Sequence, residues 1–189
     1  MFRRLYDWTI ALAESRRAPQ ALAGISFAES SFFPIPPDVI LAPMALARPD
    51  RAYHYAGICT VASVLGGLLG YAIGAFAYES LGQWIVSIYG GADKIEELRA
   101  LYREWGSLVI LIKGLTPLPY KFVTIASGIA GYDLLWFVLL SIVTRGARFY
   151  IVAGILNRFG GPIKAFIEAH TALVATLFVA GLVGGFVAL

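Results

Sequence analysis

Residues 29–43 read E-S-S-F-F-P-I-P-P-D-V-I-L-A-P, in which two carboxylates, Glu29 and Asp38, flank a cluster of prolines. The prolines that break this stretch are Pro34, Pro36 and Pro37. Prolines remove backbone donors and force extended geometry, so the stretch cannot be one continuous helix. In a membrane, broken backbone is tolerated only where it is buried in protein or lines a wet cavity. Residues 21–48 therefore predict a re-entrant hairpin of two short helices joined by a proline turn.

A second stretch, residues 113–128, repeats this pattern with the opposite charge and reads K-G-L-T-P-L-P-Y-K-F-V-T-I-A-S-G. A shift of 83 residues lays Pro34, Pro36 and Asp38 on Pro117, Pro119 and Lys121. The second stretch thus predicts another re-entrant hairpin, over residues 106–131. Its proline turn is bracketed by Lys113 and Lys121, whereas the first turn is bracketed by acids.

Composition places the chain in a membrane. Of its 189 residues, 59% are hydrophobic and only 14% are charged, and the mean hydropathy is +0.74. A chain this apolar cannot hide its hydrophobic surface in one soluble core. Cys59 is the only cysteine, which excludes an internal disulfide and a thiolate metal cluster. The net charge of +3 is scattered among apolar segments, so lipid headgroups are the expected partners and nucleic acid is not.

The remaining segments complete a single membrane domain. Residues 1–20 and 91–105 each place apolar side chains on one helical face and charges on the other, as in amphipathic helices that lie at the membrane interface. Three further segments are long and apolar enough to predict transmembrane helices: residues 55–78, 134–156 and 171–189. Gly66, Gly70 and Gly74 form a smooth stripe on the first of these, which predicts close packing within the molecule.

Each half therefore consists of an interfacial helix, a re-entrant hairpin and a crossing helix. One crossing per half makes the halves insert in opposite senses, which is the inverted-topology repeat of many transporters. The fold prediction is an all-α integral membrane protein built from two such halves. The inverted arrangement would bring the two proline turns together at the membrane midplane, with Glu29 and Asp38 facing Lys113 and Lys121.

Two arginines, Arg145 and Arg148, stand near the middle of the segment 134–156. Each arginine at that depth costs about 2.5 to 3.5 kcal/mol, so both need carboxylate or phosphate partners. Together with Lys113 and Lys121 they outnumber the two carboxylates, and the surplus positive charge suits a phosphate group. These four basic residues are the candidate phosphate ligands. Glu29 and Asp38 are the candidates for proton exchange or gating.

Three other interpretations stay open. The charged residues could form a purely structural ion-pair cluster, or the chain could be a proton or small-ion antiporter whose cavity never admits a lipid. A lipid-phosphate enzyme is the weakest alternative: the sequence offers no nucleophile with an adjacent base, and His54 and His170 stand in no phosphatase-like motif. We therefore predict no catalytic residues, no metal site and no cofactor.

The motifs quoted above resemble the DedA family of membrane proteins, also called SNARE-associated or VTT-domain proteins, and within it the bacterial YqaA-like branch. The resemblance covers about residues 20–160. It rests on four motifs: F-A-E-S-S-F-F-P-I-P-P-D-V-I, G-G-L-L-G-Y-A-I-G, K-G-L-T-P-L-P-Y-K and T-R-G-A-R. It implies a multi-pass protein of the bacterial inner membrane that has two re-entrant hairpins.

The resemblance also implies a function. The family is linked to translocation of lipid carriers such as undecaprenyl phosphate, to phospholipid scrambling, and to membrane homeostasis that depends on the proton-motive force. Its essential acids map onto Glu29 and Asp38, and its essential basic residues onto Lys113 and Lys121. The best-known members carry two arginines spaced R-x-x-P-x-x-R, whereas this chain has lysines one residue further out on each side of Pro117, and lysine cannot bind a phosphate bidentately. On this hypothesis Arg145 and Arg148 take over phosphate recognition.

Overall fold

The structure of the protein is a computed structural model that describes residues 15, 17–33, 36–78, 92–116 and 119–169. The side chains of residues 92 and 164–169 are not described. The predicted helix over residues 1–20 lies mostly outside this part of the chain, and the predicted transmembrane helix 171–189 lies wholly outside it.

The described residues are helical and contain no strand. Six α-helices follow one another: α1 (Ala18–Ser31), α2 (Asp38–Ala47), α3 (Ala52–Ala77), α4 (Ala92–Leu115), α5 (Lys121–Ala130) and α6 (Leu134–Ala169). A 3₁₀ turn, Pro49–Arg51, leads from α2 into α3. The expected all-α class is confirmed. Two helical segments among the described residues, Pro49–Ala77 and Leu134–Ile163, are long and apolar enough to cross a membrane.

The same succession of elements occurs twice. In each half a helix ends at a proline-containing turn, a short helix follows, and a long helix completes the half. The short helices α2 and α5 both have 10 residues, and they begin at Asp38 and Lys121, the two positions that the sequence repeat superimposes. Each short helix packs on the long helix of the other half: α2 contacts α6, and α5 contacts α3.

Glycines on α3 allow this close packing. A Cβ atom at Gly66 would stand 2.1 Å from the carbonyl oxygen of Phe27 on α1, and one at Gly74 would stand 2.1 Å from that of Ile125 on α5. No larger side chain fits where backbones approach this closely. The prediction that the glycine stripe serves packing within the molecule is confirmed.

Two helices run further than the sequence predicted. The predicted amphipathic helix 91–105 and the start of the second hairpin form one helix, Ala92–Leu115. The helix continues through Gly106. The glycine is needed there for a different reason: the ring of Tyr132 would lie 2.5 Å from a Cβ at this position. The segment 134–156 continues to Ala169 and bends at Phe159, where φ is −117°. Pro162 explains the bend, since proline removes a helical hydrogen bond and displaces the preceding turn.

The exit from α5 follows the prediction of a turn at Gly131. This glycine has φ +66°, the left-handed conformation in which it ends helices without strain. The amide of Tyr132 then donates to the carbonyl of Ser127 at 3.0 Å. Asp133 accepts from the amide of Trp136 at 2.9 Å and so caps the start of α6.

The described residues place many large apolar side chains on the outer surface and several polar ones inside. Along α3, large apolar residues form an exposed stripe: Val61, Leu65, Leu69, Ile73 and Phe76. Among the described residues, ten polar or charged ones are instead buried, including Glu29, Ser30, Ser63, Thr124 and Arg145. The interior also contains an apolar core around Leu22, Leu41, Cys59 and Phe149.

Candidate functional site

The centre of the candidate site is an ion pair between Glu29 at the end of α1 and Arg145 in the middle of α6. Arg145 Nη2 lies 2.7 Å from Glu29 Oε2, and the side chains are 0% and 4% exposed. The guanidinium lies between two aromatic rings, 4.8 Å from the centroid of Tyr120 and 4.7 Å from that of Phe149. Stacking of this kind suits the planar, weakly hydrated arginine head.

Hydrogen bonds hold the pair in place. Glu29 Oε1 accepts from the backbone amide of Tyr120 at 2.7 Å, and Glu29 Oε2 accepts from the hydroxyl of Ser30 at 3.1 Å. Arg145 Nε donates to the hydroxyl of Ser63 at 2.6 Å. Because Tyr120 precedes the first residue of α5, the carboxylate lies at the positive end of that helix. Within the described structure Arg145 Nη1 has no hydrogen-bond partner, so one strong donor stays unused.

A second ion pair lies near the first and is closer to the surface. Arg148 Nη2 is 2.6 Å from Asp38 Oδ2, and the side chains are 12% and 22% exposed. Arg148 Nη1 also donates to the carbonyl oxygen of Thr116 at 3.0 Å, which ties the second proline turn to the first. Asp38 is the first residue of α2, where the helix dipole favours a negative charge.

The predicted pairing of acids with lysines is wrong. Glu29 and Asp38 pair with Arg145 and Arg148, which lie three residues apart on one face of α6 and so reach both acids. Lys121 Nζ instead approaches the carbonyl oxygen of Phe32 at 3.4 Å.

Lys113 lies exposed near the end of α4 and forms no ion pair with either acid in the described structure. Neither lysine takes part in the two ion pairs of the site.

The two turns do come together as predicted. Besides the contact of Tyr120 with Glu29, the hydroxyl of Thr124 on α5 donates to the carbonyl of Ser30 on α1 at 3.0 Å. Of the predicted turn prolines, Pro36, Pro37 and Pro119 are described and precede the short helices directly or by two residues. Pro34 and Pro117 lie outside the described residues.

Sequence reasoning missed two residues of the site, Ser63 and Tyr120. Ser63 is a polar residue in an otherwise apolar, charge-free helix, and its position on the face that bears Gly66 and Gly70 would have identified it as inward-facing. Tyr120 contributes its backbone amide. Amides at the start of a helix lack helical partners and commonly bind anions, so the proline turn before α5 could have identified this ligand. In addition, the Tyr120 hydroxyl lies 2.9 Å from that of Ser141.

The arrangement is suited to exchange of anionic partners and of protons. Each arginine has donors that a phosphate oxygen could occupy in place of a carboxylate. Each carboxylate can lose its hold on the arginine by accepting a proton. Among the described residues, no group of three or more His, Cys, Asp or Glu side chains is placed to bind a metal ion.

The described fold and site define a class of all-helical proteins with apolar outer faces and an interior that contains two arginine–carboxylate pairs. Over 172 residues the chain is 36% identical to an uncharacterized protein of Haemophilus influenzae, covering 89% of each chain. It is 35% identical over 172 residues to the HI0703 homolog of Histophilus somni, also uncharacterized, covering 89% of this chain and 90% of that one. The chain belongs to the family of these bacterial proteins. No family model and no solved structure matches it.

Proposed function

We propose that the chain is a DedA-like membrane transporter or flippase that moves a phosphorylated lipid across the bacterial inner membrane and is coupled to protons. The substrate class is undecaprenyl phosphate or a phospholipid, and the biological role is membrane and envelope homeostasis. The observation that carries the proposal is the buried Glu29–Arg145 pair, next to the Asp38–Arg148 pair, where two proline-broken turns meet.

The outer surface supports placement in a membrane. In the core of a soluble protein, apolar helices this long would be mostly buried. Here only 44% of the most apolar window of Pro49–Ala77 and 28% of that of Leu134–Ile163 is buried. The outward face of α3 is apolar, whereas the Glu29–Arg145 pair and most of the described serines and threonines lie inside. Lipid tails would cover the outer faces at no cost, and internal partners satisfy most of the buried polar groups, although Arg145 Nη1 stays without one among the described residues.

The Asp38–Arg148 pair is the expected first contact for a lipid headgroup. It is partly exposed, whereas the Glu29–Arg145 pair is not. A proton on Asp38 would remove the charge that holds Arg148, and the guanidinium could then bind a headgroup phosphate bidentately. The phosphate and the carboxylate would thus alternate as partners of one arginine, which couples proton binding to substrate binding.

The buried Glu29–Arg145 pair would bind the headgroup phosphate after the Asp38–Arg148 pair. Arg145 already has an unused donor at Nη1, so a phosphate oxygen could bind there before Glu29 is displaced. Lys121 and Lys113 at the border would attract the headgroup as point charges without determining its orientation. In this mechanism the two lysines contribute to affinity and the two arginines to recognition.

Lipid translocation in proteoliposomes tests the proposal. The reporters are fluorescent glycerophospholipids and a polyprenyl phosphate, each with and without a pH gradient. The variants are Asp38→Asn and Arg148→Gln, and the matched control is Arg158→Gln, an exposed cation on the same helix. A charge-assisted hydrogen bond contributes about 1.5 to 3 kcal/mol, so losing one should slow translocation about 10- to 150-fold.

The outcomes separate the alternatives. Loss of translocation in folded Asp38→Asn protein, with Arg158→Gln unaffected, supports the proposal, and dependence on the pH gradient supports the coupling. Translocation at the native rate in Asp38→Asn would leave the cluster a structural role only. Proton or ion flux without any lipid movement would identify an antiporter. Phosphate release from the lipid would identify an enzyme.

A further inference from the structure

An open groove of about 550 Å³ lies on the outer surface, and its lining includes none of the four charged residues of the candidate site. It is lined by Ala23 of α1, Tyr150 of α6 and a face of α3 with His54, Gly57, Val61 and Leu65. The absence of a side chain at Gly57 leaves room in the groove, since a Cβ there would stand 3.3 Å from the hydroxyl of Tyr150. Away from the tyrosine hydroxyls and His54 the walls are apolar.

The groove has a basic end. Positions 54, 58, 61 and 65 alternate in steps of three and four along one face of α3, and Arg51, the last residue of the 3₁₀ turn, lies three residues before His54. Arg48 and Arg51 are both exposed at this end, and Asp50 offsets one of the two charges. The start of α3 adds the positive end of a helix dipole.

The length of the groove matches one membrane leaflet. From His54 to Leu65 the helix rises about 16 Å, at about 1.5 Å per residue. One leaflet of a bilayer contributes about 15 Å to a hydrocarbon core of about 30 Å. A molecule with an anionic head at Arg51 and an apolar tail that reaches Leu65 therefore has the dimensions of a phospholipid in one leaflet.

We infer that this groove is a binding site for an anionic phospholipid, separate from the proposed transport site. The headgroup phosphate lies against Arg51 and His54, and one acyl chain follows α3 past Gly57 and Val61 between α1 and Tyr150. The inference rests on membrane insertion, which is part of the proposed function, but not on transport. Lipid retention can therefore be measured whether or not translocation is observed.

Native mass spectrometry of the full chain tests this site. The protein is released from nanodiscs of equimolar phosphatidylglycerol and phosphatidylcholine, and the ratio of the two one-lipid adducts is read. Each basic residue near an anionic headgroup contributes about 1 kcal/mol, so we expect retention to favour phosphatidylglycerol about fivefold. Arg51→Gln should bring the ratio to about one, and Asp50→Asn should raise it severalfold.

Two control comparisons distinguish a specific lipid site from diffuse surface charge and from a nonspecific loss of lipid. Arg158→Gln removes an exposed cation at the same end of the molecule, where the neighbouring Asn157 donates to the carbonyl of Pro49 at 2.6 Å, and it should leave the ratio unchanged. Val61→Trp fills the groove and should reduce total lipid retention, whereas Ile73→Trp, on the same exposed stripe but outside the groove, should not.

Three results would overturn the site. The first is equal retention of the two lipids by the native chain. The second is an equal loss of preference in Arg51→Gln and Arg158→Gln, which would indicate only diffuse surface charge. The third is unchanged retention in Val61→Trp, which would show that no acyl chain occupies the groove.

Discussion

Replacing Arg145 by methionine would leave Glu29 as a buried carboxylate without a cation. The remaining partners are the hydroxyl of Ser30 and the amide of Tyr120, which cannot neutralise the charge. Removal of one member of a buried pair typically costs about 3 to 5 kcal/mol, because the other charge stays desolvated. We expect Arg145→Met to fall in this range.

The companion variant Arg148→Met provides the comparison. Its partner Asp38 is 22% exposed and lies at the start of α2, so water and the helix dipole can stabilise the carboxylate once the arginine is gone. The expected loss is about 1 to 2 kcal/mol, between the values for surface and buried pairs.

A double variant tests the cause of the loss at the deeper pair. Glu29→Gln combined with Arg145→Met removes both charges and keeps an acceptor for the amide of Tyr120. It should recover about 2 kcal/mol or more of the stability that Arg145→Met alone loses.

Unfolding of detergent-solubilised protein, followed by circular dichroism against increasing denaturant, measures all three variants. A loss in Arg145→Met no larger than that in Arg148→Met would refute the reasoning. So would a double variant as unstable as the single one, since the cost would then come from lost packing rather than from a stranded charge.

Other changes give distinct expectations in the same unfolding assay. Gly74→Leu should prevent α3 from approaching α5 and yield little folded protein. Gly24→Ala, at a helical position with open space around it, should instead stabilise by up to about 1 kcal/mol. An equal effect of the two variants on stability would contradict the packing role of Gly74. Lys121→Glu should stabilise by about 0.3 to 1 kcal/mol, because this residue begins α5 where the dipole favours an acid, and a loss would show that the contact of Lys121 Nζ with the carbonyl oxygen of Phe32 at 3.4 Å outweighs the dipole. Tyr120→Phe should cost about 1 kcal/mol by removing the hydrogen bond to Ser141, and no change would mean that this bond is replaced.

Local chemistry predicted much of the fold. The prolines determine where the helices break, and the repeat of Asp38 at Lys121 marks the start of both short helices. The glycines of α3 predict close packing because nothing else explains small residues at every fourth position of a long apolar helix. These features depend on neighbours in the chain, so a sequence contains them directly.

The pairing of charges could not be predicted in the same way. Which cation meets Glu29 depends on how α6 and α4 are rotated about their axes, and neighbours in the chain do not determine that rotation. The sequence showed that the arginines of α6 need anionic partners, but the lysines stood closer to the repeated turn and so were matched with the acids. The prediction that a new hairpin begins at Gly106 was wrong for a related reason, since this glycine accommodates Tyr132, a residue distant in sequence.

The order of the charges along the chain has a consequence for biosynthesis. Glu29 emerges from the ribosome first, and Arg145 follows 116 residues later. At about 5 to 20 residues per second, the acid waits about 6 to 23 s for its partner. Until α6 is made, the first hairpin carries two carboxylates without their arginines, so it cannot settle in apolar surroundings with both of them ionised. If the chain inserts into a membrane as proposed, its first half must remain hydrated or protonated until the second half completes it.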